Sequence, residues 1–508
     1  MHKFPIHKYM VDKCSNYMGR IAGFFNLSPS SISQIRIFNE MEVRGEYEAI
    51  IYTGDTIHNV HSASEIQFIS LNDAMIGFDS LKASSPLSSS SDKFELVGDI
   101  DIYNSDEFAC EFHCGNVENM SILTRFLQDT FGLEKCSDDE MFQRFDSSLK
   151  AIRGVYAIAC HIGDKVFLAR DLIGVKSLWY DVSSGFAFAS EKKFLEMAGL
   201  HEVVELDPRH ILCYDFENDI IKSYDREFLQ GLAEHQGSFV EIRNGFLSLL
   251  KEAVSKRVPD EDFGVMFSAG IDSTILALLC KGFAEAKGVK CNYYTVGLSG
   301  QVPSPDIACA RKLADELELE LNVHEIGLDT VEEYLSTVVP LIEDATVPKT
   351  GVALTMYAAC RAAKEDGINV LFAGAGADEL FAGYNRFKSS ESVNEDCIRD
   401  IMEMHKVNTY RDDTVAAFTG TIVRYPYLDE NFVEYALAIP KEYKISDEMN
   451  KIVLRKAGEE LGLPKYVVER GKKAAQYGSS FDQALKKLAK RAGFANKTDY
   501  INSFQERR

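Results

Sequence analysis

A short loop at positions 268–273, with the sequence SAGIDS, contains residue types that bind phosphate. An apolar stretch at 263–267 precedes this loop, and a pattern typical of a helix follows it. Small side chains let backbone N–H groups approach phosphate oxygens, and a helix N-terminus carries about half a positive charge. The hydroxyls of Ser268, Ser273 and Thr274 add hydrogen-bond donors. The loop therefore predicts an anion site; an ordinary turn before a capped helix is the structural alternative.

A carboxylate within this loop indicates a bound cation, because an unpaired aspartate would repel phosphate. We assign Asp272 to Mg²⁺, which binds carboxylates together with phosphate oxygens. A second Gly-rich turn with a carboxylate, GAGADE at 374–379, follows another apolar stretch at 369–373. Loops that follow parallel strands meet at one edge of the sheet, where such folds bind ligands. Asp272 and Asp378 are accordingly predicted to share one Mg²⁺.

Two different patterns of elements must position these loops. Up to about Cys213 the chain has short apolar and alternating stretches, which predict strands at 49–52, 154–161, 165–169 and 186–189. After Leu229 strands and helices alternate, which predicts a parallel sheet. Its predicted elements are the strands 263–267, 292–296 and 369–373 and the helices 273–286, 306–317 and 353–365. Beyond Tyr384 we predict mainly helices, and the Ser-rich segment 84–92 is predicted to be a surface loop.

Length and composition limit the class of protein. A chain of 508 residues is long enough for two domains. The formal net charge of −23 disfavours nucleic-acid binding, and no apolar run is long enough for a membrane span. The eleven cysteines form no C-x-x-C pair, and no signal peptide opens the chain. We therefore expect reduced thiols and a cytoplasmic location.

Four segments in order carry a specific resemblance. They are SAGIDS at 268–273, PSPD at 303–306, GAGADELFAGY at 374–384 and RGK at 470–472. With them, the chain resembles the asparagine synthetase family, whose synthetase domain has an SGGxDS loop, a GSPD-type segment, a GEGADELFGGY segment and a late lysine in an R-x-K run. The resemblance implies a parallel-sheet domain of the adenine nucleotide α-hydrolase type over residues 236–508, with ATP and Mg²⁺ as cofactors.

The resemblance also implies a reaction and roles for particular residues. ATP adenylates a carboxylate, pyrophosphate leaves, and ammonia or an amine displaces AMP. Lys472 would stabilise the charge that develops on oxygen in both steps. Lys451 or Arg455 would hold pyrophosphate. The residues expected to bind the nucleotide are Phe267, Ser268, Gly270, Asp272, Ser273, Val296, Gly297 and Gly374.

Two departures from the family pattern leave the substrate open. Ala375 stands where asparagine synthetases have glutamate and β-lactam synthetases have tyrosine, so the usual amine-deprotonating group is missing. An expected carboxylate-binding arginine is not matched at 350–357, and Lys349 is the nearest cation in the sequence. Glu343 and Asp344 are candidates for the base, although an acidic pair is as often a solvated surface feature.

The first domain, predicted over 18–213 after an extension at 1–17, also carries the resemblance. The runs FLARDLIGVK at 167–176 and FAFASE at 186–191 are similar to the family's glutamine amidotransferase domain, an antiparallel Ntn-hydrolase-like β-sandwich with helices. In that domain an N-terminal cysteine attacks the glutamine amide. Here Gly19 stands in its place, and the family's oxyanion segment is altered at 99–104. We therefore expect no glutaminase activity.

The leading hypothesis is an amide-forming ligase with aspartate as the default carboxylate and ammonia or an amine as the nitrogen source. Closure of an amide or lactam ring within one substrate is a second enzymatic hypothesis. A non-catalytic nucleotide-binding paralogue is a third, and retention of Asp272, Asp378 and Lys472 argues against it. ATP-dependent tRNA modification would need a basic surface that the composition does not offer. The sequence leaves the oligomeric state open, with a homodimer as one expectation.

Overall fold

The structure, a computed structural model, describes most of the chain. The described residues are 20–27, 49–53, 56–60, 74–78, 94–104, 107–108, 119–131, 137–301, 304–471 and 474–505. Several predicted features lie outside them: the N-terminal extension, Gly19, the Ser-rich segment 84–92 and Lys472.

The first part of the chain forms two antiparallel sheets. In the described residues one sheet has the strand order β10-β8-β9-β1-β4-β2-β3 and the other has the order β12-β11-β7-β6-β5. The strands are β1 Ile21–Phe25, β2 Ala49–Thr53, β3 Thr56–Val60, β4 Ala74–Phe78, β5 Phe94–Ile102, β6 Gly154–Ile162, β7 Lys165–Arg170, β8 Trp179–Asp181, β9 Phe186–Ala189, β10 Val204–Glu205, β11 His210–Asp215 and β12 Ile220–Asp225. β12 pairs with β11, so the second sheet continues past Cys213.

The second part contains a parallel sheet with the order β15-β14-β13-β16-β17. Its strands are β13 Phe263–Met266, β14 Cys291–Leu298, β15 Leu321–Ile326, β16 Val370–Phe372 and β17 Ile422–Arg424. Val265 pairs with Phe372, so β13 and β16 end at the same edge of the sheet. This register brings the loops 268–273 and 374–379 together, as the sequence predicts.

Helices connect and cover these strands. They are Asn119–Phe131, Asp138–Ala151, Lys192–Met197, Phe239–Ser255, Ile271–Lys287, Pro305–Leu317, Leu328–Leu341, Val347–Glu365, Ala377–Leu380, Val393–Met404, Tyr410–Thr419, Glu430–Leu437, Ile452–Glu460, Lys465–Val468, Ala475–Gly478, Phe481–Arg491 and Lys497–Gln505. A π-helical turn, His405–Thr409, leads directly into the helix Tyr410–Thr419. No helix among the described residues is long and apolar enough to cross a bilayer.

The predicted fold class is confirmed, with one local exception. Antiparallel sheets form the first part of the chain and a parallel sheet forms the second. The exception is β17, which lies in the region beyond Tyr384 that we predicted to be mainly helical. Its three residues are too few to show a period of two, and only pairing with β16 defines the strand.

The two parts meet along one face of strand β5. Alternate residues of a strand point to the same side, and Asp99, Asp101 and Tyr103 all contact cations. Arg424 Nε and Nη2 donate to the two Asp101 carboxylate oxygens at 2.8 and 2.7 Å. The Arg257 guanidinium lies 4.4 Å from the centre of the Tyr103 ring. Burial raises the pKa of Asp101, but the ion pair with Arg424 lowers it overall.

A partly buried glutamate near this interface predicts a pH-dependent stability. Burial, together with the negative charge of Asp171, raises the pKa of Glu430 to about 7. The fold therefore favours the protonated carboxyl, and this contribution to stability is present below about pH 4.5 and is lost as the pH rises through 7. Glu430→Gln is expected to raise the free energy of unfolding by about 1–2 kcal/mol at pH 8.5 and to leave it unchanged near pH 4.5, allowing for solvent screening. Denaturant unfolding at the two pH values measures this; an equal difference at both would contradict it.

Candidate active site

The phosphate loop turns the end of β13 into a helix N-terminus. Gly270 is the residue before the helix Ile271–Lys287, with an extended backbone (φ −78°, ψ 160°). The Ser268 and Ser273 hydroxyls lie 3.1 Å apart, and both residues line a cavity. Thr274 corrects the prediction: it is fully buried and its hydroxyl donates to the Gly270 carbonyl at 2.7 Å. This hydroxyl fixes the loop internally, so it is not a phosphate donor.

Ala269 holds a backbone conformation that usually favours glycine. Its φ is +53°, and its side chain is buried. Ala382, in the second loop segment, has a φ of +51°. At both positions the family motifs have glycine, so this chain keeps the left-handed turns with the smallest side chain that has a Cβ atom.

A larger, β-branched side chain at this position is expected to damage the loop. Ala269→Val should lower the free energy of unfolding by about 2 kcal/mol, because β-branched residues are outliers at positive φ. Any catalytic turnover should fall with it, since the loop backbone would shift. Ala269→Gly is the matched control and should retain both properties. Thermal unfolding of the two variants decides the matter, and an equally stable Ala269→Val protein would contradict the expectation.

The two acidic loops converge on one lysine. Lys451 Nζ lies 2.6 Å from Asp272 Oδ2 and 2.7 Å from Asp378 Oδ1. The Lys451 side chain is 2% exposed, and its backbone is left-handed (φ 59°) just before the helix Ile452–Glu460. Gly383 packs against this pair, and a Cβ atom there would lie 2.0 Å from Asp378 Oδ1 and 2.5 Å from Lys451 Cε. The second loop therefore needs glycine at 383 to hold the cluster.

The carboxylate pair fits a divalent cation. Asp272 Oδ1 is buried and has no hydrogen-bond partner among the described residues. The ammonium group of Lys451 contacts both carboxylates and so stands in for a cation between them. Mg²⁺ typically takes one or two carboxylates and completes its shell with phosphate oxygens and water. No group of three or more His, Cys, Asp or Glu side chains in the described chain could hold a metal without such outside ligands.

A small cavity of about 50 Å³ lies beside the phosphate loop. Its walls include Gly270, Asp272, Lys451, Arg455 and Arg470. Arg470 Nη1 donates to the Ser268 carbonyl at 2.8 Å, and Arg470 Nη2 lies 2.9 Å from Asp306 Oδ1. The arginine of the R-x-K run therefore ties the phosphate loop to the 303–306 segment. Sequence reasoning gave Arg470 no role.

A larger cavity of about 310 Å³ opens from the same loop. Arg411 and Asp412 lie in its wall, on the helix Tyr410–Thr419. Arg411 Nε donates to Asp412 Oδ1 at 2.7 Å. The side chain of Arg411 is 9% exposed, and no other partner of its guanidinium occurs among the described residues. The remaining donors of Arg411 are thus available to an anion in the cavity.

Most of the predicted site residues lie around these cavities. The larger cavity is lined by Phe267, Ser268, Asp272, Ser273, Val296, Gly374 and Asp378, and the smaller one by Gly270 and Lys451. Gly297 does not line either cavity; a Cβ atom there would meet Ser304 Oγ at 2.4 Å. Close packing against Ser304 explains this glycine.

Glu343, the candidate base, and Lys349, the cation nearest to the altered segment, are not among the described residues that line the two cavities. The Glu343 carboxylate accepts the Lys193 backbone N–H at 3.3 Å, and Glu343 is not among the described residues that line either cavity. Its backbone is left-handed (φ 60°), and its carboxylate contact with Lys193 ties it to the first part of the chain. Asp344 is exposed and pairs with Lys349 Nζ at 2.5 Å. Lys472 lies outside the described residues, so its catalytic role stays a prediction.

Several cavity residues were not predicted. They are Thr355, Met356, Glu379, Tyr384, Asn408, Arg411 and Asp412. Glu379 is the last residue of the second loop and Tyr384 ends the segment GAGADELFAGY at 374–384, so this segment could have indicated them. Asn408, Arg411 and Asp412 lie in a helical region without a distinctive motif, and only the packing of that helix brings them to the cavity.

Comparisons with known proteins identify the family of both parts of the chain. The asparagine synthase family model matches residues 245–396 and 386–503, and a glutamine amidotransferase domain model matches residues 72–197. A Methanocaldococcus jannaschii relative, whose name assigns it to the glutamine-hydrolyzing asparagine synthetases, is 32% identical over 463 residues, which cover 79% of this chain and 83% of that protein.

Two further relatives are named glutamine-hydrolyzing asparagine synthetases. Asparagine synthetase 2 of Oryza sativa subsp. japonica is 27% identical over 417 residues, covering 76% of this chain and 68% of its own. Asparagine synthetase B of Escherichia coli is 26% identical over 407 residues, covering 74% and 71%. The likeness therefore extends over both parts of the chain.

Proposed function

Because the chain belongs to the asparagine synthase family of ATP-dependent carbon–nitrogen ligases, we propose that it adenylates a carboxylate and transfers the acyl group to nitrogen. Aspartate is the default carboxylate, and ammonia is the nitrogen source. The observation that carries this proposal is the convergence of Asp272 and Asp378 on the Lys451 ammonium group, beside the phosphate loop.

The arrangement supports a division of tasks between the two cavities. In the first step a carboxylate oxygen attacks the α-phosphorus of ATP, and the bond to pyrophosphate breaks. The smaller cavity, with Lys451, Arg455 and Arg470 in its walls, suits the anionic leaving group. The larger cavity, with Phe267 and Val296 in its walls, suits adenine and the acyl group. A Mg²⁺ ion held by Asp272 and Asp378 would neutralise phosphate charge.

Arg411 supports an acidic substrate such as aspartate. A carboxylate that is not itself activated needs a fixed cation, and guanidinium groups bind carboxylates in a two-point fashion. Arg411 is buried in the cavity wall and has free donors among the described contacts, whereas Lys349, the nearest cation in the sequence, pairs with Asp344 instead. We assign Arg411 to the second carboxylate of the substrate.

The second step needs a proton acceptor in place of the missing group at Ala375. Nitrogen attacks the acyl carbon, the bond to AMP breaks, and the attacking nitrogen loses a proton. We assign this task to Asp412, which lies in the wall of the larger cavity and whose carboxyl pKa is raised by burial, a shift that favours proton acceptance. Arg411 opposes that shift without cancelling it.

The first domain supports ammonia rather than glutamine as the nitrogen source. Asp99, in the altered oxyanion segment, forms ion pairs with Arg20 and Lys176 at 2.5 and 2.8 Å. A developing oxyanion needs hydrogen-bond donors, whereas a carboxylate that already pairs with two cations would repel it. Ring closure within one substrate remains the competing reaction, since the cavity could equally hold a tethered amine.

We also propose a cytosolic location. The cysteines that the structure describes are free thiols, with Cys160 and Cys280 among the buried ones. Unpaired thiols are typical of proteins in a reducing compartment. The homodimer stays a prediction.

Pyrophosphate release by the purified full chain tests the proposal. With ATP and Mg²⁺ present, we expect release that requires aspartate or another carboxylate, and amide product only when ammonia or an amine is added. Glutamine should support less than about one hundredth of the amide formed with ammonia. The absence of stimulated release with every carboxylate in a panel would overturn the ligase assignment for this chain. Equal activity with glutamine would overturn only the statement about the nitrogen source.

A further inference from the structure

A cluster of buried charges joins the first part of the chain to the wall of the larger cavity. Arg20 is 3% exposed and contacts Asp99 at 2.5 Å, Glu191 at 3.1 Å and Asp413 at 3.3 Å. Lys176 Nζ lies 2.8 Å from Asp99 Oδ1 and 3.0 Å from Asp413 Oδ1. Lys193 Nζ lies 3.1 Å from Glu191 Oε2, so three cations balance three carboxylates that have been removed from water.

Asp413 belongs to a helical stretch that we name the bridging segment, residues 405–413. Further contacts hold this segment to the first part of the chain. His405 Nδ1 lies 2.9 Å from Glu205 Oε1, and the Thr409 hydroxyl donates to the Gly174 carbonyl at 2.7 Å. With Asp413 these contacts recur every four residues, so they mark one face of the helical stretch.

A neighbouring face of the bridging segment lines the larger cavity. Asn408, Arg411 and Asp412 are the residues that do so. Arg20 Nη2 also donates to the Asp413 backbone carbonyl at 3.3 Å. The first domain therefore contacts the helix backbone two residues from Arg411. A shift of the face that contacts the first domain would also move the face that lines the cavity, because both belong to one short helical stretch.

We propose that the first domain acts as a positioning device for substrate binding, through Arg20 and Lys176. These two cations fix Asp413, and thereby the guanidinium of Arg411 in the cavity wall. The inference rests on the proposed function, in which Arg411 binds a substrate carboxylate. This role of the domain does not depend on glutamine hydrolysis. Without the contacts of Arg20 and Lys176 with the bridging segment, we expect the carboxylate site to lose its geometry and the phosphate loop to keep its own.

The test compares two buried cations at the same interface. Arg20→Met removes the two contacts of Arg20 with Asp413 and leaves the other contacts of the bridging segment in place. Arg257→Met is the matched control, because Arg257 is also buried and lies over Tyr103 but its described contacts do not include residues 405–413. Arg20→Met is expected to raise the KM for the carboxylate at least tenfold and to leave the KM for ATP within twofold. Arg257→Met should leave both KM values within twofold even if it lowers thermal stability.

A second readout does not depend on turnover. Trp179 is the single tryptophan of the chain, and its ring packs edge-on against Tyr410 of the bridging segment, 5.3 Å between ring centres. Its fluorescence therefore reports contact between the first domain and this segment. Acrylamide should quench Trp179 at least twofold more effectively in Arg20→Met than in the unmodified chain or in Arg257→Met.

The outcomes separate this proposal from the proposed function. An unmodified chain without activity toward any carboxylate would refute the ligase proposal, and Trp179 quenching would still decide whether Arg20 holds the bridging segment. Unchanged quenching in Arg20→Met, or a lower kcat with both KM values unchanged, would overturn the positioning role. If Arg20→Met does not fold, Arg20→Lys and Thr409→Val replace it; we expect Arg20→Lys to restore most of the carboxylate affinity and Thr409→Val to weaken it severalfold.

Discussion

Replacing Asp272 with asparagine is expected to reduce carboxylate-dependent pyrophosphate release at least a thousandfold, roughly 4 kcal/mol of transition-state stabilisation. The side chain is nearly the same size, so the loop should keep its shape, but the charge that faces Lys451 at 2.6 Å is lost. Asp378 alone would then have to balance the ammonium group. A single-turnover assay at saturating ATP, with pyrophosphate as the measured product, gives the effect directly.

Asp366→Asn is the matched control for Asp272→Asn. Asp366 lies just before β16, at the opposite edge of the same sheet, and accepts a hydrogen bond from the Tyr294 hydroxyl at 3.0 Å. Its replacement should leave pyrophosphate release within about twofold. If Asp272→Asn retained a tenth of the activity with a normal melting temperature, the carboxylate pair would not be the centre of the reaction.

The second large effect is expected at Arg411. Arg411→Met should raise the KM for the carboxylate about a hundredfold, because losing one buried charged contact costs about 2–5 kcal/mol, and each 1.4 kcal/mol is a factor of ten. The KM for ATP should stay within twofold, since the phosphate loop and Lys451 are untouched. Initial rates over a matrix of ATP and carboxylate concentrations separate the two constants.

Lys349→Met is the matched control for Arg411→Met. Lys349 is the cation nearest to the altered 350–357 segment, but its ammonium group pairs with Asp344 near the surface. Its replacement should change neither KM. A strong effect at Lys349 combined with a weak one at Arg411 would contradict the assignment of Arg411 to the substrate carboxylate.

The loops were predictable because their chemistry is local. The loop at 268–273 contains a strand end, small residues and a helix start within one short stretch, and these features need no distant contact. The second loop has the same character, and parallel pairing brings the two together at one edge of the sheet. The pairing of parallel strands is therefore enough to predict that Asp272 and Asp378 lie close together.

The rest depends on contacts between residues that are far apart in sequence. Lys451 reaches Asp272 across 179 positions, which no spacing rule can indicate. Arg411 lies in the cavity wall, and the helical stretch that carries it contacts residues of the first part of the chain that are more than 200 positions away. The position of Glu343 could not be predicted for the same reason, because its carboxylate contacts Lys193, 150 positions earlier, and Glu343 is not among the described residues that line the larger cavity.

The charged face of β5 has a consequence for biosynthesis. Arg424, the partner of Asp101, is 323 residues later in the chain. At ordinary translation rates it is synthesised about 15–65 seconds after Asp101. During that time this face of β5 is exposed to solvent. It carries carboxylates and is not a continuous apolar surface. Such a face is hydrated and repels copies of itself, so a nascent chain can remain unaggregated until its own second half arrives.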